Sequence, residues 1–300
     1  MPSAKEIKNR MNSIRDTQKI TNAMYLIAST KMRKAKLELD KTRPYFNALR
    51  AEIKRIFRKT ENIESRYFYP INASETLDGT YGCLVITADK GLAGAYNQNV
   101  IKETQKLLEK HQDTKLFVVG EYGRHFFDQH QIPIEHSFHY TGQNPTLQRA
   151  RQISDLLLDL FENGKLDKLF VVYTDLQNSF TAEAKMTRLL PFHREVFSDS
   201  EEKPLKTSFE FVPSTAGILD TVMHSYLTGF MYSALVDSFC SEQNARMEAM
   251  SSANQNAEKI LGRLSVQYNR MRQAAITQEI TEVSAGARAQ KKKRAKEANV

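Results

Sequence analysis

Residues 4–39 read AKEIKNRMNSIRDTQKITNAMYLIASTKMRKAKLEL. Apolar and small side chains fall at Ile7, Met11, Ile14, Thr21, Met24, Ala28, Met32, Ala35 and Leu39. Steps of three and four mark one face of a helix with a near-heptad period. Gln18 fills the gap in the stripe, a polar residue where an apolar one is due. No glycine occurs between Ala4 and Lys59, and Pro44 is the one proline in that run. A proline removes one backbone donor and kinks or splits a helix. Phe46, Leu49, Ile53 and Ile56 then resume the stripe. A helix over residues 4–59 is predicted, roughly 80 Å long at ~1.5 Å per residue.

The other end repeats the pattern at greater length. Pro213, Ser214 and Thr215 read as a helix start, with Asp220 early in the helix. No proline follows to residue 300, and past Gly217 only Gly229, Gly262 and Gly286 interrupt good helix formers. The stripe runs Leu219, Val222, Tyr226, Phe230, Ala245, Ala249, Ala253, Ile260, Leu264, Tyr268, Met271, Ala275 and Val283. A helix over 217–285 would be on the order of 100 Å long. A compact globule of this chain length is only about 50 Å across. Two such helices outrun it, and covering their stripes against each other is the simplest solution. From Ser241 onward the stripe thins to Ala and Ser. Small side chains allow close approach but bury little apolar area.

Between the long helices the texture changes. Cys83–Thr87 (CLVIT), Lys115–Gly120 (KLFVVG) and Lys168–Thr174 (KLFVVYT) are short apolar runs of the buried-strand type. Helical segments near 96–110, 121–130 and 146–163 separate them. Strand–helix alternation predicts a doubly wound α/β domain with a largely parallel sheet. Met186–Phe192 and Ser208–Val212 are two further strand candidates, and the 60–80 and Ser198–Lys206 stretches read as polar loops. The predicted organisation is thus a helix at 1–59, an α/β domain at 60–213, a second helix at 214–290 and a basic, disordered tail at 291–300.

Composition narrows the function. With 41 % hydrophobic and 26 % charged residues the chain is neither disordered nor starved of core. No run reaches the ~18 uncharged apolar residues of a membrane span, and no secretory apolar region opens the chain. Cys83 and Cys240, 157 positions apart, match neither a disulfide framework nor a zinc spacing. A reducing compartment and a core role for both thiols are expected. The net charge of +8 divides into +11 over 1–59, −8 over 60–283 and +5 over 284–300. Basic ends around an acidic middle are unlike a uniformly basic nucleic-acid binder. A coiled coil touching phosphates through its basic ends stays the alternative, above all through Lys291–Lys296, although no aromatic residue is interleaved for stacking. The basic face of the first helix (Lys8, Arg15, Lys19, Lys31, Arg33, Lys34 and Lys36) points either to plain solvation or to an acidic partner surface.

Asp89-Lys90-Gly91-Leu92-Ala93-Gly94, after the first strand and before a helix, is the segment closest to a phosphate cradle. It lacks both the three-glycine dinucleotide spacing and the lysine–hydroxyl ending of a P-loop. A tight strand–helix turn or a protein-contact loop is the expectation. The seven histidines, with His136 and His139 placed in a loop, show no metal-ligand spacing, and no nucleophile elbow is present.

Several blocks resemble a known family. Ile14-Arg15-Asp16-Thr17-Gln18-Lys19-Ile20-Thr21-Asn22-Ala23-Met24 and Ala28-Ser29-Thr30-Lys31-Met32-Arg33-Lys34-Ala35 are similar to the first helix of the gamma subunits of F-type ATP synthases. Thr87–Gly94 with Asn97 resembles that family's glycine loop. Ser241-Glu242, Ala245-Arg246-Met247, Ala249-Met250 and Arg272-Gln273-Ala274-Ala275-Ile276-Thr277-Gln278-Glu279-Ile280-Thr281-Glu282-Val283 resemble its second helix. The blocks keep the family's order along nearly the whole chain.

The resemblance implies a long antiparallel coiled coil of the two terminal helices with a central, Rossmann-like α/β domain. It also implies a non-catalytic rotor, one copy per complex, without cofactor, metal or nucleic acid. Its partners would be three alpha and three beta subunits, epsilon and the c-ring, through which it meets the membrane indirectly. Its place would be the cytoplasmic face of a bacterial cell membrane as a peripheral protein. Met24, Lys90, Ala93, Arg272 and Gln273 match positions that face the beta stator, and Glu242 and Arg246 match helix positions linked to coupling. Asn22, Tyr25, Ala93 and Ser284-Ala285 depart from the family's usual residues, and the Lys/Arg tail extends past its usual end.

Overall fold

The structure, a computed structural model, describes residues 3–59, 65–69, 79–138, 142, 144–176, 182–193 and 215–297. Its elements are α1 (Ala4–Lys59), β1 (Tyr81–Ile86), α2 (Tyr96–Lys110), β2 (Thr114–Val119), α3 (Glu121–Gln129), β3 (His136–Phe138), α4 (Leu147–Glu162), β4 (Lys168–Leu176), β5 (Ala182–Leu190) and α5 (Thr215–Glu297). The described chain divides into two compact units, one of residues 1–26 with 250–300 and one of residues 27–249.

In the first unit the ends of α1 and α5 pair. Ile7, Met11 and Leu264 form a buried cluster, joined by Ile14, Leu261, Tyr268 and Met271. The polar interruption at Gln18 is answered across the seam, its side-chain amide donating to Glu258 at 3.5 Å. One turn on, the Thr21 hydroxyl donates to Asn254 Oδ1. Partner numbers fall from 264 to 254 as α1 climbs from 7 to 21, so the pair is antiparallel. The stripe on α1 is the one its spacing predicts. On α5 two expectations are corrected. Ile260 is 41 % exposed, its turn of the seam being taken by Leu261 and Leu264. Ala275 and Val283 are exposed too, because the α1 stripe begins at Ile7 and is already matched by Leu264, Tyr268 and Met271.

The helix also continues to Glu297, beyond the expected end at 285 and into the stretch read as a disordered tail. Ala, Arg, Gln and Lys dominate that stretch without a proline, and their propensity carries the helix on. Pro44 does not split α1. Ile53 and Ile56, beyond it, are fully buried in the core of the second unit, and that burial outweighs one lost backbone bond.

The second unit is built on a five-stranded sheet of order β3-β2-β1-β4-β5, parallel except for the antiparallel β4–β5 pair. Alternate residues serve opposite faces, as the pleat requires. Cys83, Val85, Leu116 and Val118 face α2 and α3 with Val100, Ile101 and Phe127. Leu84, Ile86, Phe117 and Val119 face α4 together with the 27–59 stretch of α1 and the 215–249 stretch of α5. Runs that were apolar at every position are therefore strands covered on both sides. In this unit too the long helices run antiparallel: Cys240 Sγ lies 3.8 Å from the Met32 carbonyl, and Phe46 meets Gly229.

Three further expectations change. His136 is in β3 rather than a loop; a three-residue edge strand is too short to show a period. Of the 60–80 stretch, Tyr67, Phe68 and Tyr69 are buried, and Phe68 bridges to Phe192. The strand expected at 186–192 begins earlier and spans Ala182–Leu190. Ser208–Val212, Ser198–Lys206 and His139 lie outside the described residues.

Both thiols are buried, and desolvation pushes each up to about 12. Asp237 of α5 is mostly buried next to Asp175, with Arg43 and Lys185 as opposing charges and Ser233 donating to it at 3.3 Å. Burial first, and the Asp175 carboxylate second, raise its pKa from 3.8 to about 6. The folded chain then holds this proton more tightly than the unfolded chain. Stability from the protonated form is complete below about pH 4 and is lost as pH rises toward 6. Asp237→Asn should gain on the natural protein by about 1–3 kcal/mol between pH 4 and pH 7 in urea unfolding. A stability difference that does not move with pH would show that this carboxyl titrates normally.

Candidate functional site

The β1–α2 loop is tightly constrained by side-chain bonds to its backbone. Thr87 anchors its start, bonding the Val119 carbonyl through both its N–H and its hydroxyl at 2.9 Å. The same hydroxyl accepts from the Gly123 N–H at 3.0 Å. Asn97 of α2 reaches back, its side-chain oxygen accepting the Ala88 N–H at 2.9 Å. Asp89 accepts the Glu121 N–H at 3.2 Å, where a carboxylate meets the start of α3. Leu92 and Gly94 take the left-handed backbone region, at φ 64° and 53°. Such a φ is uncommon for leucine and is held only where the surroundings fix it.

Of the loop residues singled out by sequence, Lys90 is exposed while Ala93 is buried at 2 % exposure against Ala88, Tyr96 and Ala245. Ala93 is therefore covered by its own chain. The loop presents Lys90 and Leu92 instead, the latter 65 % exposed. Sequence reasoning passed over Leu92; an apolar residue between two glycines of a polar turn was the available signal.

Glu242 and Arg246, one helical turn apart on α5, meet this loop. Their side chains form an ion pair and are only 5 % and 12 % exposed. Arg246 Nη2 also donates to the Gly91 carbonyl at 3.1 Å. Burial raises the Glu242 carboxyl above its ordinary range, with Asp89 adding to the rise, while Arg246 and Lys31 pull it down. Beside them, Ser238 accepts the Thr174 N–H at 3.3 Å and Ser241 donates to the Thr174 carbonyl. The Tyr96 hydroxyl donates to the Ile86 carbonyl at 3.4 Å. The space at the carboxyl ends of β1 and β4 is thus occupied by side chains of α2 and α5.

Met24, Arg272 and Gln273 belong to the first unit. Met24 is half-buried on the α1 stripe, one turn past Thr21. Arg272 and Gln273 are exposed and directly follow Met271, the last α5 residue of the seam cluster. Among the described residues no group of three or more His, Cys, Asp or Glu is placed to hold a metal ion. No described helix is long and apolar enough to cross a membrane.

Fold and site together define a class: proteins in which two long terminal helices pair antiparallel and a doubly wound domain is inserted between them, its switch-point crevice closed from within. The family model described as ATP synthase matches residues 3–290. The ATP synthase gamma chain of Acetivibrio thermocellus is 39 % identical over 297 residues, covering 97 % of this chain and all of that one. A chain from the OSCP/F1/c-ring structure of the Euglena gracilis mitochondrial ATP synthase in rotational state 3 superposes with TM-score 0.65 at 13 % identity, covering 95 % of this chain and 94 % of that one. A chain of the Tetrahymena thermophila mitochondrial ATP synthase central stalk and c-ring gives 0.59 at 24 %, covering 78 % and 99 %. These two likenesses speak to the fold. The chain belongs to the ATP synthase gamma chain family. With that family shown, the nucleic-acid reading of the basic ends has no support.

Proposed function

We propose that the chain is the central-stalk rotor subunit of an F-type ATP synthase. It catalyses nothing itself and couples ion translocation in the membrane sector to ATP synthesis and hydrolysis on the catalytic ring. The observation that carries this reading is the far part of α5. From Arg272 to Lys291 its residues are exposed, and Ile276, Ile280 and Val283 stand 48, 61 and 69 % exposed at helical spacing. An apolar stripe on an otherwise polar surface suits enclosure by other protein surfaces. Lys8, Arg15, Lys19, Lys31, Arg33, Lys34 and Lys36 of α1 are also exposed, where they suit an acidic stator.

In this reading one copy works with three alpha and three beta subunits, epsilon and the c-ring. It stays peripheral at the cytoplasmic face and meets the membrane only through the c-ring. Met24, Lys90, Arg272 and Gln273 face beta; Ala93 supports the loop that carries Lys90. Tagged chain drawn from detergent-extracted membranes should bring alpha, beta and epsilon subunits with it. Recovery as a lone soluble monomer would overturn the proposal. Arg272→Ala should lower ATP hydrolysis by the assembled complex roughly fivefold, about 1 kcal/mol. The melting of the isolated chain should stay unchanged, since exposed substitutions cost little. An unaltered rate in the complex would remove Arg272 from the contact.

A further inference from the structure

We infer that Arg246 is a lock that ties the 89–94 loop to the second long helix, so that loop and helix move as one body and the loop bears load. The load-bearing half rests on the rotor reading above; the lock is a property of the chain alone. In a doubly wound sheet, ligands enter the crevice at the carboxyl ends of the strands where the order reverses. Here the order β3-β2-β1-β4-β5 puts that point between β1 and β4. Tyr96, Ser238 and Ser241 fill it, bonding Ile86 and Thr174 at the two strand ends. The loop that elsewhere would offer its N–H groups to a phosphate instead offers a carbonyl, that of Gly91, to Arg246.

The tip of the loop is held on both sides. Gly91 is bound through Arg246, and Ala93 packs on Ala245 one residue before it on α5. Leu92 stands between the two attachments at φ 64° and projects outward. The guanidinium suits this task because its planar fork serves two acceptors in fixed geometry, which an ammonium does not. One arm takes Glu242 and the other takes Gly91. Glu242 keeps Arg246 aimed, and Arg246 in turn neutralises a carboxylate that would otherwise be buried beside Asp89. Glu242 is therefore a positioning residue for the lock rather than a contact.

The test is hydrogen exchange on the assembled complex, paired with ions transported per ATP hydrolysed. Arg246→Ala leaves Glu242 buried without its partner, a loss large enough by itself to unfold the chain. Glu242→Gln/Arg246→Ala removes that charge while still lacking the donor to Gly91. In the double variant, amides of residues 89–95 should exchange about tenfold faster, while those of β2, 115–119, keep their protection. Ions moved per ATP should fall at least about twofold, and Arg246→Lys should lie between. Natural exchange at 89–95 in the double variant would overturn the lock. Faster exchange with an unchanged ion-to-ATP ratio would overturn the load-bearing role. Failure of the rotor reading looks different: the natural chain would not assemble with ring subunits, while the isolated full chain would still show Arg246-dependent exchange.

Discussion

Gly120→Ala should destabilise the chain by about 3–5 kcal/mol, the largest effect expected of adding a single methyl group. Gly120 joins β2 to α3 at φ 98° and ψ 137°, a region that is essentially glycine-only and costs roughly 1–3 kcal/mol for any other residue. Strain is only part of the cost. An added Cβ would sit 2.2 Å from the Thr87 carbonyl oxygen and 2.7 Å from its carbonyl carbon and hydroxyl. Overpacking of this kind adds roughly another 1–3 kcal/mol. Thr87 has little freedom to yield, since its N–H and hydroxyl both bind Val119 and its hydroxyl accepts from Gly123. The variant should unfold at a much lower urea midpoint with an unchanged slope. It should also loosen the 89–94 loop, whose start Thr87 anchors. An unaltered midpoint would mean that the turn relaxes freely and that the Thr87 bonds do not hold it.

Gly229→Val should cost about 2–3 kcal/mol, against the direction that helix propensity alone gives. Glycine inside a helix is roughly 1 kcal/mol worse than alanine, so filling it looks favourable. Yet a Cβ at 229 would fall 2.0–2.6 Å from three ring atoms of Phe46. The two long helices approach through this glycine, and the ring lies where a side chain would be. Phe46 follows Pro44 on α1, its ring edge against Tyr45 at a centroid distance of 5.3 Å, which narrows its room to move. A double-mutant cycle isolates the clash. In a Phe46→Ala background the same Gly229→Val change should be neutral or stabilising, for a coupling of about 2 kcal/mol. Equal penalties in both backgrounds would place the cost in the helix backbone and not in the Phe46 contact.

The three inner strands β1, β2 and β4 were legible because each carries a continuous apolar run, as strands covered on both faces do. Cys83–Thr87, Lys115–Gly120 and Lys168–Thr174 each locate their strand to within about two residues. β3 was not legible, since three residues carry no period. The 67–69 segment was misread because its polar neighbours masked three aromatic residues that serve the core. For the candidate site, the motif blocks singled out the loop and the Glu242–Arg246 pair separately. Neither revealed that they touch, being more than 140 positions apart, and neither separated buried Ala93 from exposed Leu92.

Sequence by itself determined the helical ends, the α1 seam face, the doubly wound middle and the family, because spacing and motif order are properties of consecutive residues. Tertiary structure alone decided where the α5 seam ends, what fills the crevice between β1 and β4, and that Arg246 grips Gly91. Those facts depend on which distant segments meet. A one-dimensional pattern states which faces must be buried; only packing in three dimensions states against what.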